Sequence, residues 1–151
     1  VGTVKLSHYI LNWLHINNRY LTQFTFYIIP CLNPDGYKIA LKTPEYFKGG
    51  RKGRFNARNV DLNRNFNTSS FQSNSVWSFG KNYLEKKAVF CGEYGNSESE
   101  IQALTKLILR ERIKVLFMYH SAGCEVMGNN NQLSQKLIKI FSCFSISSNT
   151  S

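Results

Sequence analysis

"IKVLFMYH", residues 113–120, is a nearly unbroken apolar run that ends on a histidine. Such a run fits a strand buried on both faces, as in a parallel sheet covered by helices. Just before it stands "GNSESEIQALTKLILRE", residues 95–111. Ile101, Leu104, Leu107 and Ile108 fall on one helical stripe there. Ser97, followed three residues on by Glu100, has the form of a capping box. A helix feeding a doubly buried strand predicts α/β layering.

Working outward, Leu6, Ile10, Trp13 and Leu14 have helical spacing, which predicts a helix over about 4–19. "QFTFYIIP", residues 23–30, is rich in aromatic and β-branched residues and predicts a strand. It runs into "CLNPDGY", where Asn33-Pro34 and Asp35-Gly36 signal turns. From Lys38 to Cys91 periodicity is weak, the mark of a functional or irregular stretch. Beyond His120, a last helix is expected with Leu133, Leu137, Ile140, Phe141 and Phe144 on one side. The expected order is helix, strand, long loop, helix, strand, helix. The fold class is α/β, part of a mixed, largely parallel sheet covered by helices.

The 151 residues suit one modest domain, and 42% hydrophobic with 14% aromatic residues is globular composition. The formal charge is +10, which favours anionic partners. Much of the excess lies in 38–64, where Lys38, Lys42, Lys48, Arg51, Lys52, Arg54, Arg58 and Arg64 face only Glu45 and Asp61. Cys31, Cys91, Cys124 and Cys143 form no CxxC pair, which argues against a zinc knuckle, and they are too sparse for a disulfide scaffold. No apolar run has the length of a membrane span, and no signal peptide is visible. The chain opens on Val1 inside a helical pattern and closes just after an amphipathic segment. A partial domain over 1–151, truncated at both ends, is therefore expected.

Ligands of open α/β sheets sit beyond the carboxyl ends of the strands. The two expected strands end in Asn33-Pro34-Asp35-Gly36 and in His120-Ser121. Between them lies "GRFNARNVDLNRNFN", residues 53–67. Arginine grips a carboxylate or phosphate at two points, and asparagine adds a neutral donor. Asn63 and Arg64 are adjacent, so they serve one anion only if the backbone turns there. Arg54 is placed to face a different oxygen. Asp61 is either an ion-pair partner for Arg64 or a group that orients an arginine. His120 offers a nitrogen to a metal. Together these point to hydrolysis of a substrate bearing a terminal carboxylate. Glu98 and Glu100 read as helix-capping carboxylates rather than catalytic ones.

"NPDGY" (33–37), "GRFNARNVDLNRNF" (53–66), "GNSESE" (95–100) and "YHS" (119–121) also stand in the order, and close to the spacing, of one known family. The chain resembles the zinc metallocarboxypeptidases of the carboxypeptidase A and B type over nearly its whole length. The resemblance implies that His120 is one of three ligands to a single Zn2+. It implies that Asn63 and Arg64 bind the C-terminal carboxylate of a peptide and that Arg54 stabilises the oxyanion. Zinc-activated water would then cut the C-terminal peptide bond. The digestive members' cysteine before the arginine block is replaced by Ala57, which leaves Cys91 without its usual partner. The family's His-x-x-Glu ligand pair and its general-base glutamate have no counterpart here. His8 and His15 lack that spacing. The 151 residues alone are expected to be inactive.

The partner expected is a peptide with a free C-terminus, with no nucleic acid and no membrane span. Two neighbouring readings stay open: cleavage of cell-wall peptide stems by a member of the same family, and a non-catalytic carboxylate-binding module. A nucleic-acid surface would interleave aromatics with bases, and only Phe47 and Phe55 offer that. Many members of the family act outside the cytoplasm, which favours a secreted or extracytoplasmic location. Oligomeric state is not legible.

Overall fold

The computed structural model describes residues 2–42, 53–79 and 85–120, with 132, 135 and 136 besides. It divides into two units, Val1–Met118 and Tyr119–Ser151. In the first, helix α1 (Gly2–Ile16) is followed by a 3-10 helix (Asn18–Thr22). Helix α2 (Pro34–Leu41), a 3-10 turn (Leu62–Arg64), strands β1 (Asn74–Phe79) and β2 (Glu85–Phe90) and helix α3 (Ser99–Arg110) come next. The expected helix at the start of the chain is present. It stops at Ile16, where the side chain and backbone NH of Asn17 both donate to the Trp13 carbonyl, at 2.8 and 2.9 Å. His8 and His15 are exposed on it.

Helix α3 carries the expected stripe. Ile101 is fully buried, Leu104 is buried, and Leu107 and Ile108 are half-buried. Each fully buried aliphatic side chain contributes about 1.5–3 kcal/mol. The capping box does not form. Glu98, not Ser97, occupies the cap position, and no side chain caps the helix. Ser97 is buried and its hydroxyl donates to Glu98 Oε1 at 2.8 Å, so it is engaged in the core rather than at the helix end.

The asparagine-proline-aspartate-glycine stretch is not a turn but the start of α2. Asn33 Oδ1 accepts the Gly36 NH at 2.9 Å, and Pro34 fills the first helical position. Proline there forfeits no helical hydrogen bond. The same residues serve turns and helix starts, and here the cap prevails.

The sheet differs from expectation. Among the described residues it is a two-stranded antiparallel hairpin, β1 on β2, with Asn74 opposite Phe90 and Trp77 opposite Lys87. The weakly periodic stretch had concealed it. Residues 24–29 and 115–120 are described but form no ladder. Val115, Leu116, Phe117, Met118 and Tyr119 are 42–50% exposed, not buried on both faces. A strand is defined by its neighbour, and β-propensity alone does not supply one. Tyr27 Oη still ties the earlier segment to the end of α3, donating to Glu111 Oε2 at 2.6 Å. That bond raises the Tyr27 hydroxyl above its ordinary pKa; with Arg110, it holds the Glu111 carboxyl below the usual range.

The core gathers Val60, Leu62, Val89, Cys91, Ile101 and Leu104. It also contains Asn56, Asp61, Asn65, Ser97 and Glu98, all buried. None of the buried side-chain polar atoms among the described residues lacks a hydrogen-bond partner. In the second unit, Tyr119 and His120 are exposed. Of the expected final helix, Gln132, Gln135 and Lys136 are described and helical; its apolar face, Leu133, Leu137, Ile140, Phe141 and Phe144, lies outside the described residues.

Candidate carboxylate site

Residues 61–64 make the turn that an adjacent Asn63 and Arg64 require. Asp61 caps it, with Oδ1 accepting the Asn63 NH at 3.2 Å, and the Arg64 NH closes on the Asp61 carbonyl at 2.9 Å. The Asp61 NH in turn donates to the Phe90 carbonyl at 2.9 Å, which hangs the turn on the end of β2. Asn63 is exposed and Arg64 half-buried. Both line an open pocket of about 340 Å³ with Phe66, Phe71, Gln72 and Cys91. Among the described residues no carboxylate or hydrogen-bond acceptor meets the Arg64 guanidinium.

Arg54 is held quite differently. Its Nε donates to Asp61 Oδ2 at 2.9 Å, and a second nitrogen of the same guanidinium donates to the same oxygen. Its Cζ sits 4.3 Å from the centre of the Trp77 ring, a cation–π contact. The Arg54 carbonyl accepts from Asn33 Nδ2 at 3.2 Å, so the residue capping α2 also braces the arginine's backbone. Gly36 and Gly53 pack backbone to backbone at this point, where a Cβ on either would collide with the other's carbonyl. Asp61 thus joins the two arginine segments, one carboxylate oxygen to each. Of the two roles open to Asp61, orienting an arginine is the one seen, and that arginine is Arg54.

Cys91 is a free, buried thiol in the pocket wall. Burial pushes its pKa up and Asp61 adds to this, while Arg64 and Arg54 pull it back. The thiol stays neutral near pH 7 and contributes shape rather than a nucleophile.

Behind the turn lies a buried polar set that residue-by-residue reading of the sequence missed. Asn65, fully buried, donates through Nδ2 to the Cys91 carbonyl at 2.7 Å and to Ser97 Oγ at 2.9 Å. Its Oδ1 accepts the Glu98 NH at 3.0 Å. Asn56 Nδ2 donates to Glu98 Oε2 at 2.7 Å, while Asn56 Oδ1 gathers the Arg58 and Val60 NH groups. Glu98, read as a capping carboxylate, is a core residue at 1% exposure. The only signal in the sequence was the density of asparagine around the arginines.

The structure joins Arg54, Asn63 and Arg64 in the first unit; His120 belongs to the second. No three His, Cys, Asp or Glu side chains among the described residues are grouped to hold a metal. One imidazole does not make a zinc site, which needs three or four protein ligands. The residues described therefore do not by themselves fit the metal, and what they can do is bind and orient an anionic substrate. A larger apolar hollow of about 450 Å³ on α1 is lined by Tyr9, Ile10, Asn12, Trp13 and Ile16, none of them a carboxylate, an imidazole or a cation.

A turn that presents Asn63 and Arg64 to a pocket, an arginine fixed by a buried carboxylate and the motifs around them agree with one class: this chain belongs to the zinc carboxypeptidase family, whose sequence model matches residues 3–133. It is 31% identical to carboxypeptidase B2 of Rattus norvegicus over 72% of this chain and 26% of that protein. It is 33% identical to carboxypeptidase O of Bos taurus over 70% of this chain and 28% of that protein. With carboxypeptidase Z of Homo sapiens it shares 42% identity over 40% of this chain and 9% of that protein. The chain spans about a quarter of the length of the first two relatives. No solved structure matches it. No helix among the described residues is long and apolar enough to cross a membrane.

Proposed function

We propose that the protein containing this chain is a zinc carboxypeptidase that removes the C-terminal residue of peptides. Asn63 and Arg64 receive the terminal carboxylate, Arg54 faces the oxygen of the scissile carbonyl, and His120 is one zinc ligand. The observation that carries this reading is the contrast between the two arginines. Arg54 is paired with Asp61, whereas Arg64 lines a half-open pocket with no anion among the described residues to meet it. A half-buried cation in such a wall suits a carboxylate brought by a ligand.

Gripping the carboxylate fixes the register of the peptide, so that only its last bond is presented. Because Asp61 and Trp77 hold Arg54 before substrate arrives, little reorganisation is needed as charge develops on the carbonyl oxygen. Donors arranged in this way supply about 2.7–4 kcal/mol elsewhere. The single imidazole of His120 leaves the 151 residues alone without peptidase activity. The apolar segments 23–30 and 113–120 are proposed as strands of a largely parallel sheet that the whole protein completes.

The test is made on the full-length protein. Arg64→Ala should lower kcat/KM on peptides with a free C-terminus by about 10- to 150-fold, the worth of a charged hydrogen-bond pair. Amidated peptides should be cut as slowly as before. Equal losses on both would refute the carboxylate grip.

A further inference from the structure

The two arginine segments are far from self-supporting: one ends in a left-handed residue, Asn59, with φ 61°, and the other in a three-residue turn. Both are tied to the same place. Asn56, two residues after Arg54, donates to Glu98 Oε2 at 2.7 Å. Asn65, one residue after Arg64, donates to Ser97 Oγ at 2.9 Å and accepts the Glu98 NH at 3.0 Å. Ser97 Oγ closes the circuit by donating to Glu98 Oε1 at 2.8 Å. Arg58 approaches Glu98 only at 3.6 Å and is 64% exposed, so it adds little to the pair.

We infer that Glu98, with Ser97, is the positioning residue that sets Arg54 and Arg64 in register with each other, and so lets one site grip a carboxylate and face a carbonyl oxygen at once. Helix capping does not account for it, because no side chain caps α3. The donor pattern suits a carboxylate: both Glu98 oxygens accept, one from an amide and one from a hydroxyl. Beyond the circuit, Asn56 Nδ2 has only the Glu100 Oε1 contact at 3.3 Å and Asn65 Nδ2 the Cys91 and Tyr94 carbonyls, so a mismatch at Glu98 strains both segments. This inference rests on the carboxylate reading of Arg64, and it adds the means by which that grip is aligned.

The experiment uses the metal-free full-length protein in a Glu100→Gln background. Glu100 Oε1 lies 3.3 Å from Asn56 Nδ2, and an amide there can accept from Asn56 or donate to an aspartate in its place. The probe is an N-acetylated dipeptide with a free C-terminus, against its amide, with Kd measured by calorimetry. Glu98→Gln should cut the preference for the free carboxylate about tenfold, the scale of one charged hydrogen bond. Adding Asn56→Asp restores the match, amide donating to carboxylate, and should return the preference to within about threefold of the background.

A folded Glu98→Gln variant that keeps its preference overturns the inference. So does a double variant that fails to fold or fails to regain preference. A substrate-free readout separates this from the carboxylate reading: the Arg54 Nε–H should exchange faster in Glu98→Gln by NMR and slow again in the double variant. If Arg64→Ala leaves the preference intact while that exchange responds as stated, the carboxylate reading fails and the positioning role stands.

Discussion

Asp61 divides its carboxylate between Arg54 and the backbone of the Asn63–Arg64 turn. At 2% exposure it is a buried acid whose charge is balanced by one arginine that is itself only 20% exposed. Removing one member of such a pair leaves the other uncompensated, at a cost of about 3–5 kcal/mol. Asp61→Asn should therefore lower the urea unfolding free energy by an amount near the bottom of that range, since the amide oxygen can still cap the turn. It should also lower kcat more than it raises KM, because Arg54 rather than Arg64 loses its support. At this scale the sequence singled out candidate side chains. Arg54, Asn63 and Arg64 stood out because a fixed guanidinium beside an amide has few uses in a polar loop. Asp61's choice of Arg54 was not, because Arg64 is nearer in sequence and only the folded loop brings Arg54 back.

At the scale of elements, α1 and α3 were legible and the hairpin was not. Helices announce themselves by a local period, as the Ile101 and Leu104 stripe does. In the hairpin, β1 alternates poorly: Val76 is exposed while Ser75 is half-buried. The junction between β2 and α3 shows how tightly elements are seated. Gly92 has φ +98°, and a Cβ there would collide with the Asn65 amide and the Ser97 hydroxyl. Gly92→Ala should destabilise the protein by about 2–3 kcal/mol in chemical denaturation, from strain and a broken polar circuit together. A change of less than about 1 kcal/mol would mean that this circuit is loosely held.

For the molecule as a whole, the described chain leaves a large apolar surface uncovered. Phe24, Phe26, Tyr27 and Ile29 are 44–58% exposed, and Val115 to Tyr119 are similarly open. Exposed apolar runs of that size mark surfaces made to be covered. Backbone amides at 25–29 should exchange with solvent within minutes in the isolated 151-residue chain, while those of 86–90, paired with β1, are slower. In the full-length protein the same 25–29 amides should be protected as strongly as the hairpin. Fast exchange there too would rule out the parallel sheet proposed above.

The sequence by itself determined the first and third helices, the family and which residues are candidates to meet substrate. These depend on local periodicity and on side-chain chemistry, which a linear string carries intact. Tertiary structure decided that the asparagine-proline-aspartate-glycine stretch starts a helix, that Glu98 is a buried anchor, and that Asp61 serves Arg54. It also decided that two apolar runs form no ladder among the described residues. Each of these turns on which groups, distant along the chain, come within hydrogen-bonding reach. That is set by closure of the fold, not by the neighbours a residue has in sequence.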